Sequence, residues 1–275
     1  FFAEISAVKP GFINLNISGD ALVAYVNEMA CADRFGLEAP EKARKIIIDY
    51  GGANVAKPLH IGHLRSAIIG ESLKRICNYV GHEAIGDVHL GDWGLQMGLI
   101  ITELKVRKPY LEYFNDEYTG SYSAIPPFTL SELEEIYPCA SAKSKEDEAF
   151  KAEAMEATKL LQDGYKPYRA LWHHILNVSV EDLKKNYKKL NVNFDLWKGE
   201  SDAHEAIPGM VDYMKSHGYA HESQGALVVD VAEETDTKEI PPCMILKSDG
   251  ASLYNTTDLA TIKQRMEGEH PQGII

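Results

Sequence analysis

Lys45-Ile46-Ile47-Ile48-Asp49-Tyr50-Gly51-Gly52-Ala53-Asn54-Val55-Ala56-Lys57-Pro58-Leu59-His60-Ile61-Gly62-His63 joins a run of isoleucines to a glycine-containing loop and then to a proline. The run Lys45–Tyr50 is continuous enough for a parallel strand buried on both faces. Pro58 suits the first turn of a helix, where its missing N–H is not needed. Leu64, Ile68, Ile76 and Val80 give that helix an apolar stripe, and Gly81 supplies a stop. His82 to Leu90 reads as the next strand. Strand, loop, helix, strand is the βαβ unit of a nucleotide-binding sheet. The expected fold class is therefore α/β, a Rossmann-like parallel sheet with helical and β insertions.

The loop between strand and helix is where an open parallel sheet places its ligand. Free N–H groups in the first helix turn and the positive end of the helix dipole suit a triphosphate. Gly62 has no side chain, which leaves room for a flat ring such as adenine against the backbone. His60 and His63 are three residues apart and fall on one helical face. Both therefore have the means to point at one developing negative charge, and Lys57 adds a cation just ahead of them. Other readings fit the same residues. A histidine pair at this spacing also ligates metals, although no third or fourth ligand has an obvious spacing, or lies idle on a surface.

Further out, Val8 to Ile17 reads as a turn followed by an alternating strand, and Asp20 to about Glu28 as a helix. Tyr118 to Phe128 is loop-like. Ser131 to Asp163 reads as a charged helix, with Ser131 as N-cap and Glu134 three residues on. Its Lys143–Lys151 face has the composition of solvated surface. Tyr168 to Leu190 is a further helix. Ala226–Asp230 and Cys243–Leu246 read as strands, and Asp249-Gly250 as a tight turn leading to Leu253 and Tyr254.

Composition sets limits. The 275 residues are 45% hydrophobic and 25% charged, enough for a substantial core. No apolar run approaches the ~20 residues of a membrane-spanning helix, so no membrane partner is expected. Four cysteines stand singly, with no C-x-x-C pair, which argues against a disulfide framework or structural zinc and for a reducing, cytoplasmic setting. The start Phe1-Phe2-Ala3-Glu4 has no leader character, and the missing initial Met is expected of an excised piece. A net charge of −13 leaves nucleic acid open as a partner, because phosphate contacts need only a local basic patch.

His60-Ile61-Gly62-His63 resembles the HIGH signature of class I aminoacyl-tRNA synthetases. The longer string from Asp49 through Lys57 to Gly70 resembles the arginyl-tRNA synthetases in particular. Gly91-Asp92-Trp93-Gly94-Leu95-Gln96, Phe194 to Ser201, and Asp249 to Asp258 are similar to the family's later segments, in the expected order. The resemblance implies that His60 and His63 stabilise the α-phosphate of ATP, with Gly62 beside them. It implies that Lys57 stands in for a second lysine motif absent from many members. Asp49 and Asn54 match positions holding the amino and carboxylate groups of arginine, Asp49 being Glu in many relatives. Tyr254 and Asp258 match the guanidinium pocket. A carboxylate meets a planar guanidinium through two parallel bonds, and a Tyr–Asp pair four apart shares a helical face. His89, Asp92 and Gln96 are further candidates, Asp92 and Gln96 serving equally well to cap or flank a helix start.

On this resemblance, residues 1–40 end an N-terminal additional domain and linker, and 41–104 begin the catalytic domain. Residues 105–167 form a helical insertion, 168–197 a catalytic-domain helix, 198–250 a β-rich insertion, and 251–275 the return to the catalytic domain. The implied activity joins L-arginine to tRNA(Arg) through an arginyl-adenylate, with ATP as substrate and Mg2+ accompanying it. The family's catalytic domain runs on past these motifs, so the chain reads as a fragment, weak or inactive alone. Another HxGH nucleotidyltransferase, or a non-catalytic paralogue that binds arginine or RNA, are the rival expectations.

Overall fold

The computed structural model describes residues 1–248 and 250–275, so Asp249 of the expected Asp249-Gly250 turn lies outside the described residues. The chain opens on an antiparallel hairpin of β1 (Phe2–Val8) and β2 (Phe12–Ile17), of which only the second strand was expected. Helix α1 (Gly19–Cys31) follows, its first turn capped by the Ser18 hydroxyl, which accepts from the Ala21 N–H at 3.2 Å.

The βαβ unit then forms as β3 (Lys45–Asp49), α2 (Ile61–Val80) and β4 (Glu83–Leu90), with β3 and β4 parallel and Ile47 opposite Ile85. Gly81 ends α2 in the left-handed region at φ 103°, as a side-chain-free residue does without strain. Two expectations fail inside this unit. Pro58 is not in the first helical turn: the chain stays outside the helix as far as His60, whose extended backbone and ring nitrogen form the N-cap. The stripe of Leu64, Ile68 and Ile76 faces outward and is exposed, with Val80 half-buried. The face against the sheet consists of Ala67, Gly70 and Glu71. A Cβ on Gly70 would lie 2.1 Å from Cγ of Tyr50, so the absence of a side chain is what lets helix and strand approach. Buried Glu71 accepts from the Asn193 N–H (3.0 Å), the Arg75 guanidinium (2.7 Å) and the Tyr50 hydroxyl (2.9 Å). Burial alone would raise its pKa, but these bonds outweigh it and hold the carboxyl below its ordinary value.

Next come α3 (Leu95–Arg107), α4 (Leu130–Glu146), α5 (Glu148–Gln162) and α6 (Lys166–Lys189). Residues Met97 to Leu104 of α3 are all buried, under α4 and α5. The expected single helix from Ser131 is two. The first is capped by Thr129 with Glu132 reaching back to it, and not by Ser131 with Glu134. The second starts at Asp147, whose carboxylate accepts from the N–H groups of Ala149 and Phe150 at 3.0 Å each.

Strand β5 (Leu196–Gly199) leads through the single turn α7 (Glu200–Ala203) into α8 (Ile207–Ser216). A small antiparallel sheet of β6 (His221–Ser223), β7 (Ala226–Val229) and β8 (Cys243–Leu246) follows. Helix α9 (Tyr254–Gly268) and the short β9 (Gly273–Ile274) end the described chain. Ala260 of α9 packs with Met210, Val211, Leu227 and Ile245 in a second core separate from that of the main sheet.

The main sheet is parallel, in the order β5-β4-β3-β9. Strand β4 lies on one side of β3 and β9 on the other, so the direction of winding reverses at β3. That reversal opens a crevice at the carboxyl ends of β3 and β9, the place where such sheets bind ligands.

Candidate active site

Among the described residues, a cavity of about 300 Å³ lies at this reversal, lined by Asp49 and Tyr50 from the end of β3, by Gly62, Arg65 and Ser66 from the first turns of α2, and by Ile275 just past β9. The loop from Gly51 to Leu59 borders it and is strapped down by backbone bonds: Val55 N–H donates to Gly91 O and Gly91 N–H to Ala53 O, 3.1 Å each. The Ala56 N–H donates to Ser179 Oγ at 2.9 Å, and the Gln96 amide donates to Val55 O. Gln96 thus holds this loop in place.

His60 and His63 come together at the N-terminus of α2, with ring centroids 4.0 Å apart. They do so through capping, with His60 ahead of the helix. The Gly62 N–H donates to Nδ1 of His60, and the His60 N–H donates to Nδ1 of His63, each at 3.1 Å. An Nδ1 that accepts leaves the proton of a neutral ring on Nε2. Both rings accordingly offer an Nε2–H donor beside the positive end of the helix. Burial, then the neighbouring His60 and Lys57, push the His63 pKa below its ordinary value, so the ring is neutral at pH 7. A Cβ on Gly62 would sit 2.8 Å from Cε1 of His60, so the glycine makes room for the capping ring. The Lys57 ammonium rests 4.4 Å from the ring centroid of Tyr137 on α4.

Asn54 is exposed, and its Oδ1 lies over Gly91, where a Cβ would approach it to 2.1 Å. Asp49, at the cavity wall, has a partner unforeseen in the sequence: Nη2 of Arg265 stands 2.7 Å from its Oδ2. Tyr254 begins α9 and is exposed, as is Asp258 one turn later. At 100° per residue, Tyr254, Asp258 and Arg265 fall within about 20° of one line along the helix. Because α9 feeds β9, which runs parallel to β3, the N-terminal end of α9 lies toward the carboxyl ends of the strands. Asp258 is thus about 10 Å along α9 from Arg265, on the ligand side of the sheet. Burial raises the pKa of Glu200, as do the nearby carboxylates of Asp92 and Asp258, so Asp258 belongs to an acidic corner.

His89 lies on β4 and Asp92 just beyond its end. Asp92 is 2% exposed and accepts from the Ser201 hydroxyl at 2.6 Å and the Ser201 N–H at 3.0 Å, stapling the end of β4 to α7. Burial pushes its pKa up to about 6. It therefore acts as an internal tie and serves a first-turn N–H of α7, whereas α3, the next helix in the chain, has no side-chain cap at Gly94. His89 is half-buried on β4, its ring nitrogens buried without hydrogen-bond partners. Arg265 was missed because its two carboxylate partners lie 216 and 178 residues away. The available signal was its phase, in line with Tyr254 and Asp258 on one helix.

Known proteins resemble this chain in sequence and in fold. A family model described as tRNA synthetases class I (R), catalytic domain, matches residues 26–275. The arginine–tRNA ligase of Agathobacter rectalis is 62% identical over 275 residues, covering 100% of this chain and 46% of that protein. The arginine–tRNA ligase of Alkaliphilus oremlandii is 60% identical over 274 residues, covering 47% of that protein. The chain spans about half the length of these curated relatives. In fold, the crystal structure of Plasmodium falciparum arginyl-tRNA synthetase aligns with a TM-score of 0.70 at 22% identity, over 99% of this chain and 45% of that one. With 26–275 matched and a parallel sheet of the corresponding fold, the chain belongs to the catalytic-domain family of the class I tRNA synthetases (R).

Proposed function

We propose that this chain carries the amino-acid activation site of an arginine–tRNA ligase. In the reaction, a carboxylate oxygen of L-arginine attacks the α-phosphorus of ATP and pyrophosphate leaves. A terminal ribose hydroxyl of tRNA(Arg) then attacks the carbonyl carbon of the adenylate and AMP leaves. The observation that carries the proposal is the histidine pair. Two rings locked by backbone N–H groups present fixed Nε2–H donors at a helix N-terminus. Donors set before charge develops do not have to reorganise during the step, and each is worth roughly 10²–10³ in rate.

The other candidates take complementary roles. Lys57 supplies a cation for the phosphates once it leaves the Tyr137 ring, and Mg2+ arrives as part of the MgATP substrate. Asp49 receives the ammonium and Asn54 the carboxylate of arginine. Tyr254 and Asp258 receive the guanidinium, through a ring face or hydroxyl and a bidentate carboxylate. Gln96 and Asp92 position backbone, and His89 stands on β4 with its ring nitrogens free of hydrogen-bond partners. Residues 1–40 close an N-terminal domain, 105–167 and 198–250 are insertions, and 251–275 return to the sheet. Among the described residues no helix is long and apolar enough to cross a membrane. We place the reaction in the cytoplasm, and tRNA contacts mainly on parts of the full-length enzyme outside this sequence.

Calorimetric titration with L-arginine, citrulline and lysine tests the reading, on this chain and on the polypeptide at the full length of its relatives. Selective arginine binding is expected. Citrulline should lose roughly 10⁴-fold, because its neutral urea leaves the Asp258 charge unmatched. Asp258→Ala should abolish arginine binding and leave ATP binding intact. No arginine binding by the longer polypeptide would overturn the assignment, and equal loss of both ligands in Asp258→Ala would make that residue structural.

A further inference from the structure

Arg265 is 3% exposed and faces two carboxylates at once. Its Nη2 is 2.7 Å from Oδ2 of Asp49 and 2.8 Å from Oδ2 of Asp87, and its Nε is 3.0 Å from the same Asp87 oxygen. Two acids share one guanidinium, so the group carries one negative charge in excess while both carboxyls are ionised. The three members are not equally accessible. Asp87 is fully buried on β4, whereas the side chain of Asp49 is 34% exposed and lines the cavity beneath α2. Burial raises the Asp87 carboxyl above its ordinary pKa and the Arg265 charge opposes that rise, as expected of an anchor whose ionised form depends on its partner. The surplus charge is therefore offered at Asp49, where a cationic ligand group can reach it.

We propose that Arg265 is a positioning residue: it holds one oxygen of Asp49, so that the other faces the cavity as the acceptor for the ammonium group of the amino-acid ligand, and Asp87 anchors Arg265 for this purpose. The inference rests on the reading of Asp49 as the ammonium partner. It adds a link between the two ends of the ligand. Arg265 pins the C-terminal turns of α9, the helix that bears Tyr254 and Asp258 in the same row. One rigid helix thereby sets the distance between the carboxylate for the ammonium and the carboxylate for the guanidinium. An amino acid with the wrong side-chain length cannot satisfy both.

The test compares L-arginine with 5-guanidinopentanoic acid, which keeps the guanidinium and carboxylate but lacks the ammonium. Affinities are measured calorimetrically in the polypeptide at the full length of its relatives. A charge-assisted bond to the ammonium predicts that the wild type prefers arginine by roughly 10–100-fold. In Arg265→Gln the preference should collapse to about threefold or less, through weaker arginine binding and nearly unchanged binding of the analogue. The double variant Asp87→Asn/Arg265→Gln removes the buried charge left by the single change, and so secures the comparison if Arg265→Gln does not fold. Arg265→Lys should restore part of the preference. Loss of fold or general loosening would weaken both ligands alike, so the ratio isolates the positioning role. If Asp49→Asn abolishes the preference while the double variant keeps it, Arg265 has no positioning role. If Asp49→Asn itself keeps the preference, the reading of Asp49 fails and takes the proposal with it.

Discussion

Asp92 shows what burial does to one carboxyl. It accepts two bonds from Ser201, yet desolvation dominates and pushes its pKa up to about 6. The carboxyl binds a proton more readily in the folded chain than in the unfolded one, where its pKa is ~3.9. Stability from this group therefore rises as pH falls through about 6, and the gain is complete near pH ~4. Asp92→Asn removes that dependence. Between about pH 7.5 and about pH 5, the stability of the wild type should gain about 1 kcal/mol relative to the variant, read by denaturant melts at both pH values. At this scale the sequence was most informative where chemistry is local. His60, Gly62 and His63 interact within three residues and were recognisable as a unit, while the Asp92–Ser201 tie spans 109 residues and left no trace in either neighbourhood.

The start of α2 joins fold and chemistry in one side chain. His60 caps the helix through Nδ1 and presents Nε2 to the site. Asparagine is an equally good cap but has no second ring nitrogen. His60→Asn should keep thermal stability within about 0.5 kcal/mol of the wild type, whereas His60→Ala should lose about 1 kcal/mol. Both should lower arginine-dependent ATP–pyrophosphate exchange by roughly 10²–10³ in the polypeptide at the length of its relatives. Normal exchange by His60→Asn would reduce the residue to a cap. Element types were readable from periodicity, but their ends were not. Histidine is an uncommon cap, so Pro58 was the more visible start for α2. Thr129–Glu132 and Ser131–Glu134 both have the sequence spacing of a capping box, and nothing local chooses between them. The inverted face of α2 has a similar origin: apolar residues were read as inward, but Gly70 against Tyr50 and the bonded Glu71 give a closer approach than leucine would allow.

At the scale of the whole molecule, the parallel pairing of β3 with β4 follows from the βαβ reading, whereas β5 and β9, and with them the strand order and its reversal, had no counterpart in it; α9 unites the two cores. Its Ala260 belongs to the core of the small sheet, and its Arg265 grips the ends of the large one. The outer face of α2 remains apolar and exposed, Ile61 at 85%, Ile68 at 41% and Ile76 at 57%. Patches of this kind promote association. The chain by itself should self-associate at micromolar concentration, and Ile68→Glu combined with Ile76→Glu should suppress this in sedimentation velocity runs. The melting temperature should barely change, because these side chains point away from the core.

The pairing of β3 with β9 also bears on how the chain reaches its final form. The Lys45 N–H bonds the side chain of Gln272 at a sequence separation of 227, and Ile46 and Ile47 align with Gly273 and Ile274. A ladder of that separation cannot nucleate early, since closing so long a loop costs entropy before any bond repays it. During synthesis β3 leaves the ribosome long before its partner exists, and the helices α3 to α6 are complete in the interval. The ligand crevice thus closes only after the helices between β3 and β9 have formed, and until then the free β3 edge is open to wrong pairings and to chaperones.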